Sequence, residues 1–369
     1  MPPRTLFDLE TPAVVVDLDR LEENLAEMAA LCARHGVRLR PHVKSHKCVP
    51  LARRQLELGA VGLSAAKVSE AAVFAAAGVD DLLVAYPVVG RDKIDALGGL
   101  SGAVATLVDD AAATDALSAG WSSSRRPLDV FVKVDVGLGR VGVPVERVES
   151  VLALARHVER SPRLRFAGLL THAGHAYRAA DPAGVEAVGV AEGCSMVDLA
   201  ERLRARGLEV PAVSVGSTPT ARAAVAVPGV TELRPGVYVF NDAQQVALGV
   251  VPMTRCALTV WTRVVSRPDP GRAICDAGSK TFSSDRGAHG TDGVPHGVAP
   301  DAPSLRLVGL SEEHGWLRAT EGEAPAPGAH LRLVPAHACA VVNLARRLWV
   351  VQGERVVDCW SVDAAGCVQ

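Results

Sequence analysis

At 369 residues, the chain is long enough for two domains or for one large barrel plus a smaller unit, and 49% hydrophobic residues supply the core. A formal net charge of −2 with only 4% aromatic residues excludes the basic, stacking-rich surface of a nucleic-acid binder. Apolar stretches are broken by Gly, Pro or charge well short of a membrane span, and the opening MPPRTLFDLETP carries no secretory apolar region.

The first predicted element is a helix in DLDRLEENLAEMAALCARHG, with Asp19 and Glu22 as a capping box and Gly36 as its stop. From Val37 to about Phe240, eight β-type runs follow: VRLRPHVK, VGLSAA, DLLVAYP, VATLVDD, VFVKVDV, FAGLLTH, AVSVGST and ELRPGVYVF. Helix-type patterns such as VSEAAVFAAAG and VERVESVLALARHV lie between them. Strand alternating with helix implies parallel strands and right-handed crossovers, and eight strands imply a closed (β/α)8 barrel of the TIM type. After about residue 245 the runs LTVWTRVV, LRLVGL, HLRLVP and RLWVVQGERVV are strand-like, with a hairpin at VVQGERVV. The expected class is therefore α/β: a barrel over 21–245 and a mostly antiparallel β domain over 246–369, with residues 1–20 packing on the latter. The Gly/Pro-rich stretch SSDRGAHGTDGVPHGVAP is predicted to be one long loop.

Gly137, Gly139 and Gly142 in VDVGLGRVGV have the GxGxxG spacing of a dinucleotide-binding turn. That turn must open a helix at the start of a βαβ unit, whereas this one follows the fifth strand, so a nicotinamide enzyme is set aside. The eight cysteines are scattered with no CxxC pair, which fits reduced thiols in the cytoplasm.

Parallel barrels place their active sites at the C-terminal ends of the strands, and the polar residues gather there. Lys44 and His46 close the first strand, Arg140 follows the fifth, and His172 and Tyr177 follow the sixth. Ser217 and Thr218 end the seventh, and Gly236 ends the eighth. Loops after strands seven and eight of such barrels often hold a phosphate, although an ordinary βα turn uses the same residue types. A lysine facing a barrel mouth that also holds phosphate suggests pyridoxal phosphate. Lys44 would carry it covalently, its amine kept less protonated by Arg40, His42 and Lys47.

In this order the segments TPAVVVDLDRLEENL, RPHVKSHK, VDVGLGRVGV, GLLTHAGHAY, VSVGSTPT, ELRPGVYVFND, DAGSKTFSSD, LSEEHG and PAHACAVVNL resemble the fold-type III pyridoxal-phosphate enzymes of the D-threonine aldolase and D-serine dehydratase-like group. Ser45 departs from the threonine more common there. The resemblance implies an alanine-racemase-like barrel, a C-terminal β domain and a homodimer. It places Lys44 as cofactor lysine, Ser217, Thr218, Gly236 and Val237 at the phosphate, Arg140 near the phenolic oxygen and His172 near the ring. Tyr177 or Arg234 then stands near the pyridine nitrogen.

In PAHACAVVNL, read as a strand, two-residue spacing puts His337 and Cys339 on one face, able to share a divalent ion. Imidazole with thiolate suits zinc, and manganese is the harder alternative. Asp276, Lys280, Glu313 and His314 fall in matched motifs without assigned roles. The expected reaction is metal-assisted retro-aldol cleavage of a small β-hydroxy-D-amino acid to glycine and an aldehyde, with Lys44 and His337 as catalytic groups. Loss of water to give a keto acid and ammonia is the alternative. A racemase would use a tyrosine from the C-terminal domain, yet Tyr86, Tyr177 and Tyr238 all precede residue 245. A non-catalytic cofactor carrier of this barrel type would lack the β domain.

Overall fold

The computed structural model describes residues 3–122, 126–290 and 294–369. Backbone contacts divide the chain into two compact units. One comprises Met28–Lys44, Ala52–Gly236 and Cys367–Gln369; the other comprises the stretch up to Glu27, Ser45–Leu51 and Val237–Gly366.

Among the described residues, the first unit has a path of eight parallel strands, with the short strand Val143–Pro144 pairing off Leu128–Asp135. Their spatial order is Arg38–Leu39, Glu232–Leu233, Val213–Val215, Leu164–Leu170, Leu128–Asp135, Ala103–Val108, Asp81–Pro87 and Leu63–Ala65. A parallel bridge between His42 and Ser64 joins the last strand to the first and closes the ring. Alternate residues point inward, and Leu83, Ala105, Leu107, Phe131, Leu170 and Ala212 fill the interior. Outside, helix Val148–Arg160 buries Val148, Val151, Leu152, Leu154, Ala155 and Val158, one stripe at helical spacing. Each such Val or Leu contributes roughly 1.5–3 kcal/mol.

One strand position tolerates no side chain. Pairing between Leu128–Asp135 and Leu164–Leu170 shifts register beside Gly168, which adopts φ +134°, and a Cβ there would lie 2.2 Å from the Ala212 carbonyl oxygen. Gly168→Ala is expected to cost about 1–3 kcal/mol, read from urea unfolding, because both the backbone conformation and the close approach exclude a methyl.

The glycine run after the fifth strand is a loop, not a nucleotide turn. Gly137, Gly139 and Gly142 all take positive φ. The Asp135 carboxylate accepts from the N–H groups of Gly137, Leu138 and Gly139, and no helix begins before Val148.

In the second unit, Leu258–Asp269, Arg272–Cys275, Gly315–Ala319, Leu305–Leu310, Gly297–Val298 and His330–Pro335 pair in that order, and the last returns to the first. The result is a closed antiparallel six-strand barrel. Ala13–Asp17 pairs with Leu258–Asp269 and with Arg347–Gln352, and the latter forms a hairpin with Arg355–Ser361. Two sequence expectations change here. The predicted loop from Ser283 contains a 3-10 turn, Ala288–Gly290, and the strand Gly297–Val298, while residues 291–293 of it lie outside the described residues. The first helix, Leu18–His35, starts one residue before the predicted cap. Asp17 accepts from the Arg20 N–H at 3.1 Å, and Asp19 instead accepts from Gln352. Among the described residues no helix is long and apolar enough to cross a membrane.

Candidate active site

In the barrel unit, Lys44 follows the strand Arg38–Leu39 within the short 3-10 turn Val43–Ser45, and its side chain is half-buried. The His42 Nδ1 accepts from the Lys44 N–H at 3.4 Å, holding the turn. Arg40 does not supply the free positive charge expected beside Lys44. Its guanidinium is buried and paired with Glu232 at 2.9 Å and Asp81 at 2.7 Å. Lys47 is likewise engaged, donating to the Ala364 carbonyl.

The turn after Val213–Val215 is built around a residue that the sequence pattern gave no reason to select. Glu192, 1% exposed on the long helix Pro182–Arg204, accepts from the N–H groups of Gly216 and Ala173 and from the Thr220 hydroxyl. Gly189 and Gly193 flank it, and side chains there would strike Thr220, Ala223 or Val227, so the helix lies close against this turn. The only signal available was an acidic residue between two glycines on an otherwise apolar face. Gly216 takes φ +108°, and a Cβ on it would meet Leu233 at 2.8 Å. Ser217 and Thr218 are buried, and Thr218 Oγ1 accepts from the Gly236 N–H at 3.3 Å, tying the turns after the seventh and eighth strands together. Buried small hydroxyls in a glycine-shaped turn are donors of the kind a phosphate group uses.

Arg234 is buried, with Nε donating to Ser214 and an Nη to the Thr171 carbonyl. Desolvation draws its pKa down to about 10, and Glu232 and Glu192 limit the fall, so it stays charged at neutral pH. His172 faces the Gly216 carbonyl at 3.4 Å, Tyr177 is half-buried in the 3-10 turn Gly174–Arg178, and Arg140 is exposed on its loop. A second lysine, also missed from sequence, joins this wall. Lys133 lies on the inward face of Leu128–Asp135, two residues beyond the interior Phe131. Burial first, and then the charges of Arg234 and Arg140, lower its pKa to about 7.

The second unit holds Val237, buried at the start of the 3-10 turn Val237–Val239, and the His337–Cys339 pair. Tyr238 is also grouped here, buried rather than offered as a base. The pair does not lie in a strand. The strand ends at Pro335, His337 is the N-cap of helix Ala338–Leu344, and Cys339 is in its first turn. Buried Asp242 accepts from the Ala338 N–H and from the Gln245 N–H, so a single carboxylate caps two helix starts. The two side chains still meet. Burial opposes charging of the His337 imidazole, but Cys339, Asp285 and Asp242 outweigh it and push its pKa up to about 10. Such surroundings favour a cation, and imidazole with sulfur is a zinc-type donor set. Among the described residues no cluster of three or more His, Cys, Asp or Glu side chains converges for a metal. Asp276 is engaged by Thr11, Thr262 and Arg263, and Lys280 by Glu312 and Glu313.

An eight-stranded parallel barrel with a lysine at its mouth, joined in sequence to a small β-barrel, defines the alanine-racemase class of fold. Residues 16–244 match the alanine racemase N-terminal domain and residues 257–351 the putative serine dehydratase domain. The chain therefore belongs to the D-threonine aldolase and D-serine dehydratase-like family of pyridoxal-phosphate-dependent lyases. It is 39% identical to the D-threo-3-hydroxyaspartate dehydratase of Delftia sp. (strain HT23), covering 91% of this chain and 92% of that one. It is 36% identical to a D-threonine aldolase of Arthrobacter sp, covering 98% and 94%. The crystal structure of D-threonine aldolase from Filomicrobium marinum superimposes with a TM-score of 0.92 at 35% identity, covering 100% and 99%. D-threo-3-hydroxyaspartate dehydratase has also been solved as a metal-free cysteine-to-alanine variant and as a histidine-to-alanine variant, the histidine standing two residues before the cysteine.

Proposed function

We propose that the chain cleaves small β-hydroxy-D-amino acids by a metal-assisted retro-aldol reaction, releasing glycine and an aldehyde. The observation that carries this is local. Lys44 is followed directly by Ser45, whose hydroxyl accepts from the Cys339 thiol at 3.3 Å. The residue that follows the amine suited to a carbonyl cofactor thus holds a sulfur suited to a metal. The spacing of His337 and Cys339 equals that of the two residues replaced in the D-threo-3-hydroxyaspartate dehydratase variants, which supports a metal here.

In this reading Lys44 holds pyridoxal phosphate, and Ser217, Thr218, Gly236 and Val237 hold its phosphate. Arg140 lies toward the phenolic oxygen, His172 beside the ring, and Tyr177 or Arg234 on the pyridine side. The cofactor supplies an electron sink for charge left on Cα. A divalent ion at His337 and Cys339 supplies a Lewis acid for the substrate's β-hydroxyl, and the thiolate favours zinc over manganese. A homodimer in the cytoplasm belongs to the same reading.

Dehydration is the second reading, favoured by the 39% identity to a dehydratase. The chain is expected to convert D-threonine to glycine and acetaldehyde. 2-Oxobutanoate and ammonia would instead establish the dehydratase, and D-threo-3-hydroxyaspartate gives a parallel choice between glyoxylate with glycine and oxaloacetate with ammonia. Absence of all these products from every β-hydroxy-D-amino acid supplied would remove both readings.

A further inference from the structure

The pair formed by His337 and Asp285 has no role in the reaction as derived so far. His337 Nδ1 lies 2.8 Å from Asp285 Oδ2. The carboxylate's other oxygen accepts from the Gly287 N–H at 3.4 Å, and the Asp285 N–H donates to Ser283 Oγ at 3.2 Å. The aspartate is thus fixed to its own loop on one side and to the imidazole on the other. The histidine backbone is also pinned, because the next N–H, that of Ala338, is held by buried Asp242.

We propose that Asp285 is a positioning residue for the metal. Its carboxylate takes the Nδ1 proton of His337 as a hydrogen bond, fixing the tautomer in which Nε2 carries the lone pair offered to a divalent ion. An imidazole that donates one N–H to a carboxylate is both oriented and made more basic at its other nitrogen. Ser45 fixes the position of Cys339. Its buried hydroxyl accepts from the Cys339 thiol at 3.3 Å and so holds the sulfur in place. With only two protein donors brought together among the described residues, the aim of each ligand has a larger share in holding the ion than in a four-ligand site. The aspartate also adds a negative charge beside a dication. This inference rests on the metal reading given above and deepens it.

The test uses the cofactor-loaded chain, stripped of divalent ions by chelator and titrated with Zn2+ and with Mn2+. Asp285→Asn is expected to raise the metal dissociation constant by about 10–100-fold. The cofactor absorption spectrum and the thermal midpoint of the metal-free protein are expected to match the native chain, and Asp285→Glu is expected to recover part of the affinity. An asparagine variant that binds metal as tightly as the native chain, or whose loss of affinity follows a fall in the metal-free midpoint, overturns the inference while the metal reading stands. His337→Ala and Cys339→Ala variants that bind as the native chain does, or a native chain that takes up no ion, would overturn the metal reading and this inference with it.

Discussion

Lys44→Ala is expected to lose the visible absorption band of bound cofactor and about 10^3–10^6-fold of lyase turnover, as when a covalent or acid–base group is removed. Two lysines compete for this role on chemical grounds. Lys133 has the depressed pKa, about 7, that marks a nucleophilic amine at neutral pH. Its position argues against it, since it is buried on the inward face of its strand with its Nζ donating to the Val134 carbonyl. Lys44 is half-buried on a turn at a strand end, where a bulky aldehyde can reach it and where substrate can later displace it. Borohydride reduction of the native protein followed by peptide mass analysis is expected to locate the cofactor on the peptide carrying Lys44. A reduced cofactor on Lys133, or a Lys44→Ala variant that keeps its colour, would show that the wrong amine was chosen.

What could be read from the chain alone was what its local pattern encodes. Eight barrel strands were visible because buried parallel strands are short continuous apolar runs, and Gly36 at φ +64° ended the first helix as placed. Ser217, Thr218 and Gly236 stood out by their place at strand ends, although an ordinary βα turn uses the same residue types. Residues whose meaning lies in a distant partner were not visible. Glu192 looks like a helix-surface carboxylate until the turn at Gly216 is placed against it. Arg40 looked like a free cation beside Lys44, but its partner Glu232 is 192 positions away in sequence. HxC spacing was read with the two-residue period of a strand. Asp242, 96 positions earlier, caps the Ala338 N–H and so makes the segment a helix start. Asp17 displaced Asp19 as the cap because strand and helix adjoin without a linker, a boundary error of the size expected where no turn residue punctuates.

Lys133→Met is expected to stabilise the cofactor-free barrel below neutral pH and to flatten its stability between about pH 7 and 10. The sign follows from where the proton sits. An unfolded lysine titrates near 10.4, whereas the folded Lys133 titrates at about 7, so across that interval the unfolded chain binds the extra proton. Stability of the native chain must therefore rise with pH from about 7 to about 10. Below the folded pKa the full penalty of a buried ammonium is present, on the order of 4–5 kcal/mol for a shift of this size, and above the unfolded pKa it is absent. Methionine keeps the length of the side chain without the charge. In urea unfolding at pH 6, 8 and 10, the difference between variant and native chain isolates Lys133, since every other titrating group cancels. It should be largest at pH 6 and fall to a constant value near pH 10; a difference that does not change with pH would mean that the amine is not desolvated as its position requires. Burial is the largest source of the penalty, and repulsion between neighbouring charges adds to it. Lys133, Arg140 and Arg234 repel one another, and Glu192 and Asp135 offset only part of that repulsion. A phosphate-bearing ligand relieves it, so cofactor binding is expected to draw a proton onto Lys133 and to reduce the native chain's pH dependence, bringing it closer to that of the methionine variant.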